Sequence, residues 1–307
     1  MTQPWSPEHV VTEALARQLI ETQFPELAPA CVQVLGEGFD NTVYQVNKEY
    51  VFRFPRREIA VQLLQAEGRL LPDLVGRFSL QIPEPLFYGK CSEEFPWPFL
   101  GYRLVHGLAP ERVPHLRRIE AAQPLAEFLL AVHSFPLEKA LACGIPTTDI
   151  MQRFDLTQRT PQLHDHLKKA ADLDLLEPTT LQTLQAYADT LSQTTWQPPV
   201  YDTLVHADPH IRNLVVNLEG TLTGIIDWGD AHIGHRALDL SIVYSYLPPE
   251  GRDLFYKIYG EVDAQTREMA RFRAVFSTLV LMLYGYDQQQ PQLVATAKQS
   301  LHLALLH

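Results

Sequence analysis

Apolar residues return at helical spacing at Val11, Ala14, Leu15, Leu19 and Ile20, which predicts a helix over residues 7–24 with Ser6 as its N-cap and Pro7 at the first helical position. The period then shortens. Residues 31–35, 42–46 and 50–54 read as short strands; the first two are parted by Gly36-Glu37-Gly38-Phe39-Asp40-Asn41 and the last is ended by Pro55. A helix over 57–73 and strands over 85–89 and 99–105 follow. The cluster His106-Gly107, Pro110 and Pro114 breaks the chain, and beyond it the pattern is helical over 116–133, 163–175 and 180–191. Two more β-type runs, 214–216 and 222–226, flank the turn signal Glu219-Gly220 and predict a hairpin. Helices over 238–246, 254–259, 264–286 and 293–305 complete the chain, the first of them stopped by Pro248-Pro249. This order predicts an α+β fold in two parts: a β-rich N-terminal lobe over 1–105 with one main helix, and a larger, mostly helical C-terminal lobe over 106–307.

The polar positions around the hairpin carry the candidate chemistry. A hairpin over 214–226 holds Asn213 at its entrance and Asp227 just past its exit, so the two side chains are expected side by side, with Asp208 on the preceding loop. An amide oxygen and a carboxylate that converge make a hard-oxygen site suited to Mg²⁺, which takes few protein ligands plus substrate phosphates. A further carboxylate nearby, Asp208, could orient a hydroxyl and accept its proton. Asp and Asn are common in loops for their capping geometry alone. Together with His206, however, the spacing is that of the kinase phosphoryl-transfer loop, H-x-D-x-x-x-x-N, followed by a hairpin and a metal-binding Asp.

Other polar positions admit two readings. Arg53 interrupts an apolar strand: its stem snorkels to the surface, or its planar fork reaches a phosphate or carboxylate. Glu67 lies beside Leu63, Leu64, Leu70 and Leu71, either solvated at the stripe edge or paired with an inward arginine. Gly36 and Gly38 serve a plain hairpin turn, or let backbone approach phosphates without a Cβ in the way. His133, at a helix end, reads as a partner of the helix dipole.

Composition narrows the classes. The 46% hydrophobic and 20% charged fractions are those of an ordinary globular protein, and no apolar run approaches the ~20 residues that cross a bilayer. The N-terminal residues lack a basic and an apolar signal region, so a cytoplasmic protein is expected, without membrane partners. Cys31, Cys91 and Cys143 form no CxxC pair and read as buried small hydrophobes rather than a disulfide or zinc framework. A net charge of −11 argues against nucleic acid and is compatible with a cationic substrate. The carboxylates such a substrate could meet are Asp230, Glu250, Asp253, Glu261, Asp263 and Asp287, solvation on helix exteriors being the alternative for each. A monomer or weak dimer is expected.

With H-A-D-P-H-I-R-N (His206 to Asn213), G-I-I-D-W-G-D (Gly224 to Asp230), A-L-D-L (Ala237 to Leu240) and Y-V-F-R-F-P-R (Tyr50 to Arg56), the chain resembles the aminoglycoside phosphotransferase family over nearly its whole length, and most of all its 2″-phosphotransferase-like branch. The resemblance implies a bilobal protein-kinase-like fold with ATP or GTP bound between the lobes and Mg²⁺ as cofactor. It implies Asp208 as catalytic base, Asn213 and Asp227 as metal ligands, and Arg53 where kinases place a phosphate-contacting Lys, with Glu67 as its helix partner. By the same resemblance Gly36 and Gly38 cover the phosphates. Arg103, Val105 and His106 belong to the hinge that reads the purine through its backbone, and Asp239 braces the catalytic loop. The chain departs from the pattern in carrying Arg53 for Lys, Ala207 where glycine is frequent, and Pro209-His210-Ile211 where many members read Leu-His-Pro. The acceptor implied is a hydroxyl of a small molecule. It is an aminoglycoside or another metabolite of the homoserine, choline, sugar or macrolide type, with a nucleotide-binding pseudokinase as the rival reading.

Overall fold

The computed structural model describes residues 8–37, 40–197 and 199–306. Ser6, Pro7 and Gly38 lie outside the described residues. The first helix, α1 (Glu13–Gln23), starts later than its apolar spacing suggests, because Thr12 caps it by accepting from Leu15 N–H at 3.2 Å. Strands β1 (Val32–Glu37), β2 (Asn41–Val46) and β3 (Tyr50–Pro55) lead into α2 (Glu58–Leu74), then β4 (Glu84–Gly89) and β5 (Phe99–Arg103). They form one antiparallel sheet in the order β1-β2-β3-β5-β4. Successive strand side chains point to opposite faces, and this decides where Arg53 goes. Phe52 and Phe54 turn to one face, fully buried in a cluster with Leu19, Ile20 and Phe99. Arg53, between them, turns to the other, where α2 lies.

The rest of the chain is mostly helical: α3 (Ala122–His133), α4 (Leu137–Ala142), α5 (Leu156–Asp172) and α6 (Pro178–Ser192), then α7 (Ala237–Tyr246), α8 (Pro249–Tyr259), α9 (Ala264–Asp287) and α10 (Pro291–Leu305). Every residue of α7 is buried, as suits a helix apolar on nearly all sides, and it packs against α9 and α10. Between α6 and α7 come β6 (Thr203–Val205), the hairpin β7 (Leu214–Val216) and β8 (Leu222–Ile225), and β9 (His232–Gly234), which pairs with β6. Helix α5 starts before residue 163, since Asp155 caps it and Pro161 is accommodated inside it, and α8 starts at Pro249, which suits a first helical position. Cys31 and Cys91 are exposed rather than buried, and Cys143 is half-buried. Among the described residues no helix is long and apolar enough to cross a membrane.

Two straps join the sheet region to the hairpin. Leu108 N–H donates to Val216 O at 2.8 Å and Val216 N–H returns to Leu108 O at 2.9 Å. Gly107 permits this approach: its φ is +149°, and a Cβ there would lie 2.4 Å from Val215 Cγ1 and 2.7 Å from Val216 O. On the other edge, Gln81 N–H donates to Thr223 O at 2.8 Å and Ile225 N–H to Gln81 O at 2.9 Å.

Candidate active site

Strand β6 delivers the chain into the loop that carries Asp208. The backbone turns sharply at Ala207, whose φ of +72° is the left-handed region that costs a non-glycine residue roughly 1–2 kcal/mol. Asp239 on α7, fully buried, holds that turn. Its Oδ1 accepts from Ala207 N–H at 2.7 Å and its Oδ2 from His206 N–H at 2.8 Å. The same Oδ2 lies 3.0 Å from Nε2 of His133, whose Nδ1 meets the Tyr259 hydroxyl at 2.6 Å. His133 is therefore part of the bracing rather than a helix-dipole partner alone. Burial would raise the Asp239 carboxyl, but His133 and the His206 side chain and N–H outweigh it and hold it below the usual carboxylate range. His206 Nε2 meets Ile226 O at 3.1 Å, tying the loop to the end of β8.

The hairpin brings Asn213 and Asp227 together as its pairing requires. Leu214 pairs with Ile225, and Ile226 N–H donates to Asn213 O at 2.9 Å. Asn213 is buried, and its amide nitrogen donates to Asp208 O at 2.9 Å, leaving the amide oxygen as the atom available to a cation. Asp227, at φ +68°, presents a carboxylate that is 53% exposed. Among the described residues there is no cluster of three His, Cys, Asp or Glu that could hold a metal. A cation at Asn213 and Asp227 would thus draw its other ligands from phosphates and water, which is how Mg²⁺ is usually held, so the donor set fits that ion.

Arg53 connects the sheet to this pair. Its Nη1 donates to both Glu67 oxygens at 3.0 Å and its Nη2 to Asp227 Oδ1 at 3.1 Å. Glu67 is 2% exposed, so the solvated reading of Glu67 and the snorkelling reading of Arg53 both give way to a buried pair. Burial works against the Arg53 charge, but Glu67 and Asp227 more than compensate and its pKa is raised. For Asp227 the enclosing cleft raises the carboxyl, and Arg53, His206 and His210 outweigh it, leaving it lowered. Gly229 leaves room for this contact, since a Cβ there would come within 3.3 Å of Arg53 Nη2. Gly36 has no atom of a described residue within 4 Å of an added Cβ. In the 103–106 segment the Arg103 side chain turns outward to Glu84 at 2.9 Å. Leu104 N–H donates to Glu49 O, while Val105 and His106 make no backbone hydrogen bond to another described residue.

Two arginines outside the motifs, Arg273 and Arg153, bear on Asp208 and its neighbour Asp230. Asp208 Oδ1 lies 3.3 Å from Arg273 Nη2, and its Oδ2 3.4 Å from His210 Nε2. Asp230 Oδ2 accepts from Arg153 Nη2 at 2.6 Å, and Arg153 Nη1 donates to Asp149 Oδ1 at 2.6 Å. Burial raises the Asp230 carboxyl. The available signal for Arg273 was the one that marks Arg53, an arginine inside an apolar run, here Phe272 to Phe276. The other acidic candidates do not join Asp230: Asp287 pairs with Lys169, Asp263 caps α9, and Glu250, Asp253 and Glu261 are exposed.

Residues 32–275 match the profile of the phosphotransferase enzyme family APH. Among solved structures, the GDP and kanamycin complex of APH(2″)-IIIa is similar at 28% identity, covering 94% of this chain and 97% of that one with a TM-score of 0.60. Macrolide 2′-phosphotransferase MphH from Brachybacterium faecium shares the fold at 18% identity, 89% and 91% coverage, and a TM-score of 0.53. An uncharacterized Bacillus subtilis (strain 168) protein, YcbJ, is 24% identical over 78% of this chain and 79% of its own. The same scaffold and a family match across most of its length make this chain a member of the APH phosphotransferase family.

Proposed function

We propose that the protein transfers the γ-phosphoryl group of ATP or GTP to a hydroxyl of a small molecule, with Asp208 as the catalytic base and Asn213 and Asp227 holding Mg²⁺. The observation that carries this reading is the meeting of Asp208, Asn213 and Asp227 at one end of a hairpin, with Arg53 reaching Asp227 from the opposite lobe at 3.1 Å. The GDP complex of the 28% identical relative supports a nucleotide between a lobe over 1–105 and a lobe over 106–307. Its kanamycin makes an aminoglycoside one candidate acceptor beside other small alcohols.

Phosphoryl transfer passes through a loose transition state, so the residues act by positioning and by charge. Arg53, oriented by Glu67, clamps the non-transferred phosphates. Gly36 and Gly38 let the β1–β2 turn approach them, and the backbone of Arg103, Val105 and His106 reads the purine. Bound Mg²⁺ supplies charge neutralisation at the phosphate oxygens. Asp208, held by the Asp239-braced turn, orients the acceptor hydroxyl and takes its proton.

The test is thermal unfolding with ATP or GTP, each with and without Mg²⁺, followed by turnover of Asp208→Ala. A Mg²⁺-dependent rise in Tm is expected from one or both nucleotides, because a ligand bound only to the native state stabilises it. Asp208→Ala should keep that rise and lose about three orders of magnitude or more in turnover. Near-normal turnover in the variant would remove Asp208 from the role of base.

A further inference from the structure

A second set of charges meets Asp208 from the C-terminal lobe: two guanidiniums, Arg153 and Arg273, set among the carboxylates of Asp208, Asp230 and Asp149. Arg153, 4% exposed, takes up Asp149 and one oxygen of Asp230, which leaves Asp230 Oδ1 as the carboxylate oxygen open to a ligand. Arg273, on α9 and 14% exposed, has Asp208 as its one carboxylate partner among the described residues, at 3.3 Å through Nη2. Its Nε and Nη1 make no hydrogen bond to a described residue. Burial, with Arg153 nearby, pulls its pKa down to about 10, although Asp208, Asp230 and Asp149 act in the opposite direction. A desolvated guanidinium with spare donors in a planar fork is suited to a carboxylate or phosphate.

We infer that the acceptor is an alcohol carrying an oxyanion, carboxylate or phosphate, a few bonds from the reacting hydroxyl, with the hydroxyl on Asp208 and the oxyanion on Arg273. This rests on the proposed phosphotransferase reading and specifies its substrate class. Arg153 acts indirectly, by engaging one oxygen of Asp230 and adding positive field next to Arg273. An aminoglycoside would bring ammonium groups up to two guanidiniums, with Asp149 and one oxygen of Asp230 already engaged by Arg153.

The experiment measures nucleoside diphosphate release by the full chain with Mg²⁺ and the stabilising nucleotide. The probes are glycerate and gluconate, glycerol 3-phosphate, the uncharged glycerol and glucose, and kanamycin. At least one anionic probe should raise release tenfold or more above its uncharged counterpart, and the carboxylate and phosphate arms identify which oxyanion is taken. Arg273→Gln should raise KM for that probe at least tenfold with a far smaller change for the uncharged alcohol, and Arg273→Lys should recover much of the loss. Preference for kanamycin or an uncharged alcohol overturns the inference, as does the absence of any anionic preference. So does an Arg273→Gln variant that lowers kcat for charged and uncharged probes alike, which would make Arg273 a positioning residue for Asp208. If no nucleotide stabilises the protein with Mg²⁺, the phosphotransferase reading itself fails, a result distinct from nucleotide binding with the wrong acceptor preference.

Discussion

Replacing Asp239 by Asn keeps the shape of the side chain and removes its charge, so it tests the brace behind the catalytic loop. If the new amide oxygen keeps Ala207 N–H, formerly bound at 2.7 Å, the amide nitrogen takes the place of Oδ2 and faces His206 N–H, donor against donor. That buried backbone group is then unpaired, at about 1–3 kcal/mol. The His133 contact survives, because a neutral imidazole can accept at Nε2 and donate from Nδ1 to Tyr259. Losing the charge from the surviving bond to Ala207 costs about another 1 kcal/mol. The sum, about 2–4 kcal/mol, corresponds to a fall in Tm on the order of 3–6 °C for a chain of this length. The strained Ala207 turn relaxes with it, and kcat should drop about 100-fold through misplacement of Asp208.

The pH dependence of this loss has a definite sign. The Asp239 carboxyl is depressed in the folded protein, so its contribution is complete above the unfolded value of about 4 and disappears as pH falls through the folded value. The stability gap between wild type and variant, measured by denaturant titration, should be level above about pH 5 and narrow below pH 4. A Tm within 2 °C of wild type would refute the reasoning, and so would a gap that stays constant down to pH 3.

Asp227→Ala should abolish the Mg²⁺-dependent part of the nucleotide-induced Tm shift while the protein remains folded by circular dichroism. Arg53→Ala leaves Glu67, 2% exposed, without its partner and should cost about 3–5 kcal/mol in denaturant unfolding. Adding Glu67→Gln should recover much of that loss, and no recovery would mean the pair is not what stabilises this contact. Gly107→Ala forces a Cβ to within 2.7 Å of Val216 O at a φ of +149°. It should cost about 2–4 kcal/mol, with faster hydrogen exchange at the Leu108 and Val216 amides if the strap is the part that yields.

Much of this architecture was visible in the periodicity of the chain. The apolar spacing of α2, α7 and α9 and the alternation around Phe52 and Phe54 reflect faces that must be buried, and burial is written locally. The hairpin likewise followed from two apolar runs around Glu219-Gly220, and with it the adjacency of Asn213 and Asp227. What stayed hidden depends on partners distant in sequence. Arg53 could snorkel or pair until Glu67 on α2 was placed opposite it. Arg153 and Arg273 come from the stretch before α5 and from the middle of α9, and no spacing rule joins either to Asp208. The strands β6 and β9, three residues each, are too short for a period to show, and the starts of α1 and α5 were set by the caps Thr12 and Asp155 rather than by the first apolar residue.

The sharing of Arg53 between Glu67 and Asp227 has a consequence for the order in which ligands can arrive. One guanidinium between two carboxylates leaves a surplus of one negative charge at the place where the proposed function has phosphates enter. A bare triphosphate approaching this trio would add repulsion and meet a guanidinium already engaged on both sides. If Asp227 holds a divalent ion as proposed, a triphosphate carrying one would offer Asp227 a replacement for Arg53 and leave Arg53 free to turn toward the phosphates. On the proposed reading such an exchange would keep every carboxylate paired throughout, and the trio would favour nucleotide that enters already complexed over nucleotide that comes alone.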